Sequence, residues 1–221
     1  SAPDTITLTS GVLTCSSDIV VNGLGAKMLS ISGNNTSRIF DIYGGSTVVR
    51  SLHLTRGLGS AAPSRGGAIL IDSGVLTAIA CDFDANTAPR GGAIGCNGGV
   101  FNVVSSTFRN NVATSSGGAI YATTDGVRFN QIHNSTLSGN SGNGGAAAIE
   151  VGGGVTWISN CTLTANSSIS GSTIQSYGDA LTVTRLGNTI VAGNSSNGDL
   201  RLFNGSVQSI QSDGGNVIGD V

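Results

Sequence analysis

Hydrophobic and polar positions along this chain alternate over short stretches, stop at a turn, and then start again at a nearly fixed distance. Five small-residue turns run into an aliphatic β-branched residue: Gly66-Gly67-Ala68-Ile69, Gly91-Gly92-Ala93-Ile94, Gly117-Gly118-Ala119-Ile120, Ala146-Ala147-Ala148-Ile149 and Gly171-Ser172-Thr173-Ile174. A second mark pairs a large apolar residue with asparagine, at Phe83/Asn86, Phe108/Asn111, Leu137/Asn140, Leu163/Asn166 and Ile190/Asn194. The isoleucines of the turns lie 25, 26, 29 and 25 residues apart. Between the marks stand β-type runs of three to five residues, such as Ile69-Leu70-Ile71, Leu76-Thr77-Ala78-Ile79 and Cys81-Asp82-Phe83, with no sustained helical period. A constant period of this size is the sign of a solenoid, in which each repeat buries its apolar edge against its neighbours.

Three short strands and three turns per repeat predict one coil of an all-β, single-stranded parallel β-helix. Crossovers between parallel strands are almost always right-handed, so the predicted solenoid is right-handed. The 221 residues then make about nine coils of roughly 25 residues. The expected organisation is a single domain over 1–221, with irregular first coils over 1–60, regular coils over 61–195 and a C-terminal coil over 196–221. Strand-like residues begin almost at Ser1 and the last coil ends abruptly, so the segment reads as a piece of a larger protein. Uncapped rungs at either end make end-to-end self-association a further expectation.

The turns explain the small residues and the asparagines. Glycine takes positive φ in tight corners without steric cost, and asparagine is the next best residue there. Stacked on successive rungs, Asn86, Asn111, Asn140, Asn166 and Asn194 are expected to form an amide ladder along the axis.

Composition narrows the function classes. Charged residues are 10% of the chain, against roughly 25% in an ordinary soluble domain. Lys27 is the one lysine and the net charge is −2, which leaves no basic stripe to neutralise phosphates, so nucleic acid is not expected as a partner. No run is long and apolar enough to cross a bilayer as a helix. There is no CxxC and no His/Cys cluster, so no metal and no cofactor are expected. Cys81 and Cys161 share a register three repeats apart, too far for a disulfide, and read with Cys15 and Cys96 as small buried residues.

Strand alternation brings a few side chains out of the repeat as candidates. With Phe83, Phe108, Leu137, Leu163 and Ile190 inward, one outward row is Asp82, Thr107, Thr136, Thr162, Thr189 and the other Asp84, Arg109, Ser138, Thr164, Val191. Asp84 and Arg109 then lie one rung apart, which predicts an exposed ion pair. The alternative makes Asp82, Asp84 and Arg109 a site for cations or polysaccharide cleavage, since paired carboxylates supply acid/base chemistry or hard-cation ligands. His53 and His133 are about three coils apart and read as solvated outward side chains. Trp157, the one tryptophan, is expected to face out beside Thr77 and Asn102, either packed under a loop as a structural side chain or free to stack on a sugar ring. The third repeat carries three extra residues around Asp125-Gly126-Val127-Arg128; a solenoid tolerates such a loop with no further role, but insertions also serve binding, so Asp125 and Arg128 join the candidates. Thr-x-Thr pairs raise ice binding as another reading, but within the two outward rows only Thr162-Leu163-Thr164 provides the pair, and Asp82, Asp84 and Arg109 interrupt the array. The sequons of this Ser/Asn-rich chain give no ground for glycosylation.

GGAI and FxxN, as in Gly117 to Ile120 and Phe108 to Asn111, resemble the repeats of the chlamydial polymorphic outer-membrane proteins. The opening Asp4-Thr5-Ile6-Thr7-Leu8, the closing Thr189-Ile190-Val191-Ala192-Gly193-Asn194 and Gly215-Asn216-Val217-Ile218-Gly219-Asp220 are similar to bacterial secreted right-handed β-helix proteins that follow a CSLREA-type leader. The resemblance implies export, a secreted or cell-surface location, and a role as adhesin or passenger segment toward a glycan or a cell-surface molecule. The clustered Asp-Asp and Gly-His-Gly motifs of β-helix glycosidases do not occur, and the regular repeats have no lysine to act as a lyase base. A non-catalytic binding or structural role is therefore expected, with a lyase or hydrolase acting on an acidic glycan as the alternative.

Overall fold

In a computed structural model, which describes residues 4–60, 64–124, 128–178, 181–202 and 209–219, the chain winds into a right-handed parallel β-solenoid of about eight turns. Every strand pairing among the described residues is parallel, and none of these residues is helical. Three long sheets run along the rod. The first has nine strands and includes Asp82–Asp84, Thr107–Arg109, Thr136–Ser138 and Thr162–Thr164. The second has eight and includes Ile69–Ile71, Ile94–Asn97, Ile120–Thr123 and Ile149–Val151. The third, also eight, includes Val75–Ile79, Val100–Val104, Phe129–His133, Val155–Ser159 and Val183–Gly187. A fourth sheet of four strands, Thr87–Arg90, Val112–Ser116, Ser141–Gly142 and Ser167–Ser168, adds a strand to the middle coils that the three-strand pattern did not predict.

The interior is built by like residues meeting on successive rungs. Leu54, Phe83, Phe108, Leu137, Leu163 and Val191 form one buried column, with the Phe83 and Phe108 rings stacked at 4.5 Å and 5°. Phe40, Ile69, Ile94, Ile120, Ile149 and Ile174 form another on the second sheet. One expected position is corrected by the register. Leu163 pairs with Val191, so Val191 points inward, while Ile190 pairs with Thr162 and is 44% exposed. Asn194 explains the shift, since it follows Val191 by three positions as Asn166 follows Leu163. The outward rows therefore continue with Ile190 and Ala192, not Thr189 and Val191.

Corners between sheets use the left-handed backbone region more widely than the glycines and asparagines announce. Ser51, Ala80, Ser105, Asn134, Asn160 and Asn188 occupy one corner column with φ between 48° and 54°. Arg56, Ala85, Asn110 and Ala165 occupy the next, with φ between 52° and 55°. An alanine here carries a cost of about 1 kcal/mol, which the surrounding rungs hold in place. Gly91, at φ 62°, has no such latitude, because an added Cβ would run into the carbonyl oxygen of Ile94.

The ladder asparagines follow the second corner. The Asn111 backbone N–H and Nδ2 donate to Asn140 Oδ1 at 3.1 and 2.9 Å, and Nδ2 also donates to the Phe83 carbonyl at 2.9 Å. Asn86, Asn140 and Asn166 repeat the arrangement, and the chain of amides ends on Asn194 Oδ1. A second ladder of short side chains was not anticipated. Cys81 N–H donates to Ser106 Oγ, Ser106 N–H to Ser135 Oγ, and Cys161 N–H to Thr189 Oγ1.

Candidate functional site

Ladder register places Asp82, Asp84 and Arg109 on the outer side of the first sheet, where Asp82 pairs with Thr107 and Asp84 with Arg109. The Arg109 guanidinium reaches both acids, with Nη2 at 3.0 Å from Asp82 Oδ2 and 3.2 Å from Asp84 Oδ2. Nε also donates to Asp82 at 3.2 Å, and these bonds to Asp82 raise the arginine pKa further above its ordinary value. Asn110 Nδ2 donates to the other oxygen of Asp84 at 3.1 Å. Both carboxylates are thus engaged by protein donors. The guanidinium is nearly half exposed, so the pair contributes only ~0–1 kcal/mol to stability.

His53 belongs to this cluster, which corrects its reading as a solvated outward side chain. Its strand pairs with Asp82–Asp84, its imidazole is largely buried, and Nδ1 lies 2.8 Å from Ser30 Oγ. Nε2 points toward Asp84 Oδ2 at 3.6 Å, beyond hydrogen-bond reach, and has no other partner. An adjoining cleft of about 320 Å³ is lined by Ser30, Ser32, His53, Thr55, Arg56 and Asp84 among others. Sequence spacing gave no reason to bring His53 to Asp84, because residues 1–60 carry only faint copies of the repeat marks. His133 is likewise half-buried, with Nδ1 at 2.8 Å from Ser159 Oγ.

Trp157 stands on the third sheet, 45% exposed, in the outward row Thr77, Asn102, Gln131, Trp157, Arg185. The Arg185 guanidinium lies over the indole at 5.7 Å and is itself anchored to Asp213 at 2.5 Å. That ion pair lowers the Asp213 pKa, chiefly through the hydrogen bond from Arg185. A cleft of about 260 Å³ beside the indole is lined by Gln131, His133, Trp157 and Ser159. An aromatic face rimmed by amide, imidazole and hydroxyl groups suits a sugar ring, which offers C–H faces to stack and hydroxyls to bond.

Of the third-repeat insertion, Asp125 and its two successors lie outside the described residues. Arg128 is exposed at the entry to the third sheet. It is on a different part of the coil from Asp82, Asp84 and Arg109, so the candidates form no single site. Among the described residues no group of three or more His, Cys, Asp or Glu side chains could hold a metal ion. No helix among them is long and apolar enough to cross a membrane.

Residues 105–123 match the Chlamydia polymorphic membrane protein repeat. The matched stretch runs from Ser105 through Phe108 and Asn111 to the Gly117-Gly118-Ala119-Ile120 turn and Thr123, and so contains one FxxN mark and one GGAI mark. No curated protein and no solved structure matches the chain.

Proposed function

We propose that this protein is a bacterial cell-surface β-helix with a non-catalytic binding role, and that its ligand is a glycan received at Trp157. The observation that carries the reading is the half-exposed indole on an otherwise regular polar rod, held by Arg185 and bordered by Gln131, His133 and Ser159. Burial of the ring against a folded segment would have removed it from water, and no such segment covers it among the described residues. The repeat at 105–123, shared with membrane proteins of Chlamydia, supports a surface location. Engagement of Asp82 and Asp84 by Arg109 argues against free carboxylates poised for acid/base work.

Because Trp157 is the sole tryptophan, its fluorescence reports the site directly. Titration with a panel of neutral oligosaccharides is expected to shift or quench the emission saturably, and Trp157→Ala is expected to abolish binding to the same sugars. Unchanged emission across the panel, or full binding by the alanine variant, would overturn the assignment.

A second reading has its own observation. The unpartnered Nε2 of half-buried His53 stands beside Asp84 at the edge of a cleft, the kind of side-chain pair a glycan-cleaving enzyme would need. Release of reducing or unsaturated ends from an acidic polysaccharide, lost in both His53→Gln and Asp84→Ala, would replace the non-catalytic role with that activity.

A further inference from the structure

The outer side of the second sheet holds a group of charged and aromatic side chains distant in sequence. Tyr121, on the strand Ile120–Thr123, is only 3% exposed, although its position in the ladder faces away from the apolar columns. Two guanidinium groups cover it. Arg65 lies 5.1 Å and Arg90 5.3 Å from the ring centroid. The two arginines are one rung apart, paired by a parallel bridge.

This packing depends on a break in the repeat. The row on which Tyr121 stands is Asp41, Leu70, Gly95, Tyr121, Glu150 and Gln175, and Gly95 alone has no side chain. A Cβ at Gly95 would lie 2.6 Å from Arg65 Cβ. The missing side chain therefore makes room for Arg65 to run past that rung. Arg65 Nη1 then donates to Asn97 at 2.5 Å and to Thr123 Oγ1 at 2.9 Å, which fixes the guanidinium in place. On the far side the Tyr121 hydroxyl meets that of Tyr177 at 2.5 Å.

Among the described residues neither arginine is held in a salt bridge, although buried Glu150 feels the charge of Arg90. Among the described residues no carboxylate lies within ion-pair distance of Arg65 or Arg90, and the Arg90 guanidinium makes no hydrogen bond at all. Acids on this flank have other partners. Asp41 is bound by Arg38 at 2.6 Å, Asp72 receives the Asn97 amide at 2.9 Å, and buried Glu150 receives the Ala146 N–H at 3.3 Å. Like charges on adjacent strands repel, so two neighbouring unpaired guanidinium groups in a chain with net charge −2 call for an external anion. Both guanidinium groups lie over an aromatic ring, and a guanidinium fork suits a flat or tetrahedral oxyanion. An open cleft of about 380 Å³ lies there, lined by Ser64, Arg65, Pro89, Arg90 and Ser115, with two serines beside the two cations.

We propose that Arg65 and Arg90, stacked on Tyr121, form a binding site for the carboxylate or sulfate groups of an acidic polysaccharide. The site is separate from the Trp157 cleft, on another sheet, and does not depend on the reading given to it.

Arg90→Gln is the informative variant, since the Arg90 side chain has no hydrogen bond or salt bridge to lose, only its contact over Tyr121 and its charge near Glu150. Wild type, Arg90→Gln and Trp157→Ala are titrated calorimetrically at low ionic strength with three probes: oligogalacturonate for carboxylate, a heparin-derived oligosaccharide for sulfate, and dextran oligomers as the neutral control. At least one acidic probe is expected to bind, to weaken as salt is added, and to lose about tenfold in affinity in Arg90→Gln, with Trp157→Ala unaffected. Which acidic probe binds assigns the group. Failure of both acidic probes, dextran binding that Arg90→Gln weakens as much as acidic binding, or wild-type affinity for the acidic probes in Arg90→Gln would overturn the proposal. Loss of acidic binding in Trp157→Ala alone would move the ligand to the other cleft and overturn it too.

Discussion

Replacing Asn111 by alanine tests how much of the rod is held by its amide ladder. The side chain is fully buried and takes part in four hydrogen bonds. Its Oδ1 accepts from the Asn86 N–H at 3.1 Å and from Asn86 Nδ2 at 3.0 Å; its Nδ2 donates to Asn140 Oδ1 and the Phe83 carbonyl, each at 2.9 Å. Alanine does not damage these partners equally. Asn140 Oδ1 still receives the Asn111 backbone N–H, and Asn86 Nδ2 still reaches the Leu54 carbonyl at 3.0 Å. The Asn86 backbone N–H loses its acceptor outright in a place water does not reach. An orphaned buried donor costs about 1–3 kcal/mol, and the partial losses and the small void add to it, so the expected destabilisation is about 2–4 kcal/mol. Urea unfolding followed by far-ultraviolet circular dichroism reads the total, and amide exchange at Asn86 reads the local part. Asn194→Ala is the internal comparison, since its amide is only partly buried and water can replace the lost bonds; its cost should be clearly smaller. Asn111→Asp keeps an acceptor for Asn86 but sets a carboxylate against Asn140 Oδ1, so it should be no milder than alanine. A cost under about 1 kcal/mol for Asn111→Ala, or unchanged exchange protection at Asn86, would refute the view that the ladder is a principal tie between coils.

Two further outcomes follow from buried titratable groups. Burial raises the Glu150 pKa above its ordinary value, against the opposing pull of the Ala146 N–H and Arg90. A carboxyl raised on folding favours the folded chain below its unfolded pKa, and that contribution is lost as pH rises through the folded value. Glu150→Gln imitates the protonated form, so its Tm relative to wild type should climb as pH rises above the ordinary glutamate range; a difference independent of pH would contradict the assignment. Burial also lifts the thiols, Cys96 to about 12 and Cys161 to about 11, with Cys81 raised as well. Since the thiolate is the reactive form, these three should resist a thiol reagent at about pH 8 until urea exposes them, and rapid labelling of the folded protein would count against the packing.

The fold was largely legible because its determinants recur. GGAI and FxxN mark the same two corners in coil after coil, and the column Phe83, Phe108, Leu137, Leu163 follows from them. Misplacement of Ile190 came from taking its spacing to Asn194 as equivalent to the others, when Val191 keeps the three-residue interval. The fourth sheet could not be read, because its strands Thr87–Arg90, Val112–Ser116, Ser141–Gly142 and Ser167–Ser168 contain a proline and many small polar residues in place of a β-branched alternation. The left-handed corners at Ala80, Ala85 and Ala165 were equally silent, since alanine has no local preference for them and adopts them only under tertiary constraint.

Candidate chemistry was legible where a single unusual residue stood in an outward row, as Trp157 does, and hidden where several coils had to cooperate. Arg65 and Tyr121 are 56 residues apart, and only the absence of a side chain at Gly95 lets one lie on the other. Gly95 also follows a repeat turn, where one more glycine attracts no notice. His53 reaches Asp84 from an adjacent rung within residues 1–60, where the copies of the repeat marks are only faint. In a solenoid the regular positions are needed for stacking, and a side chain that stacks with its like has little left with which to meet a ligand. Sites therefore belong where a column is interrupted. Gly95 beneath Arg65 and Trp157 between Gln131 and Arg185 are such interruptions, and both open a cleft on the surface of the rod.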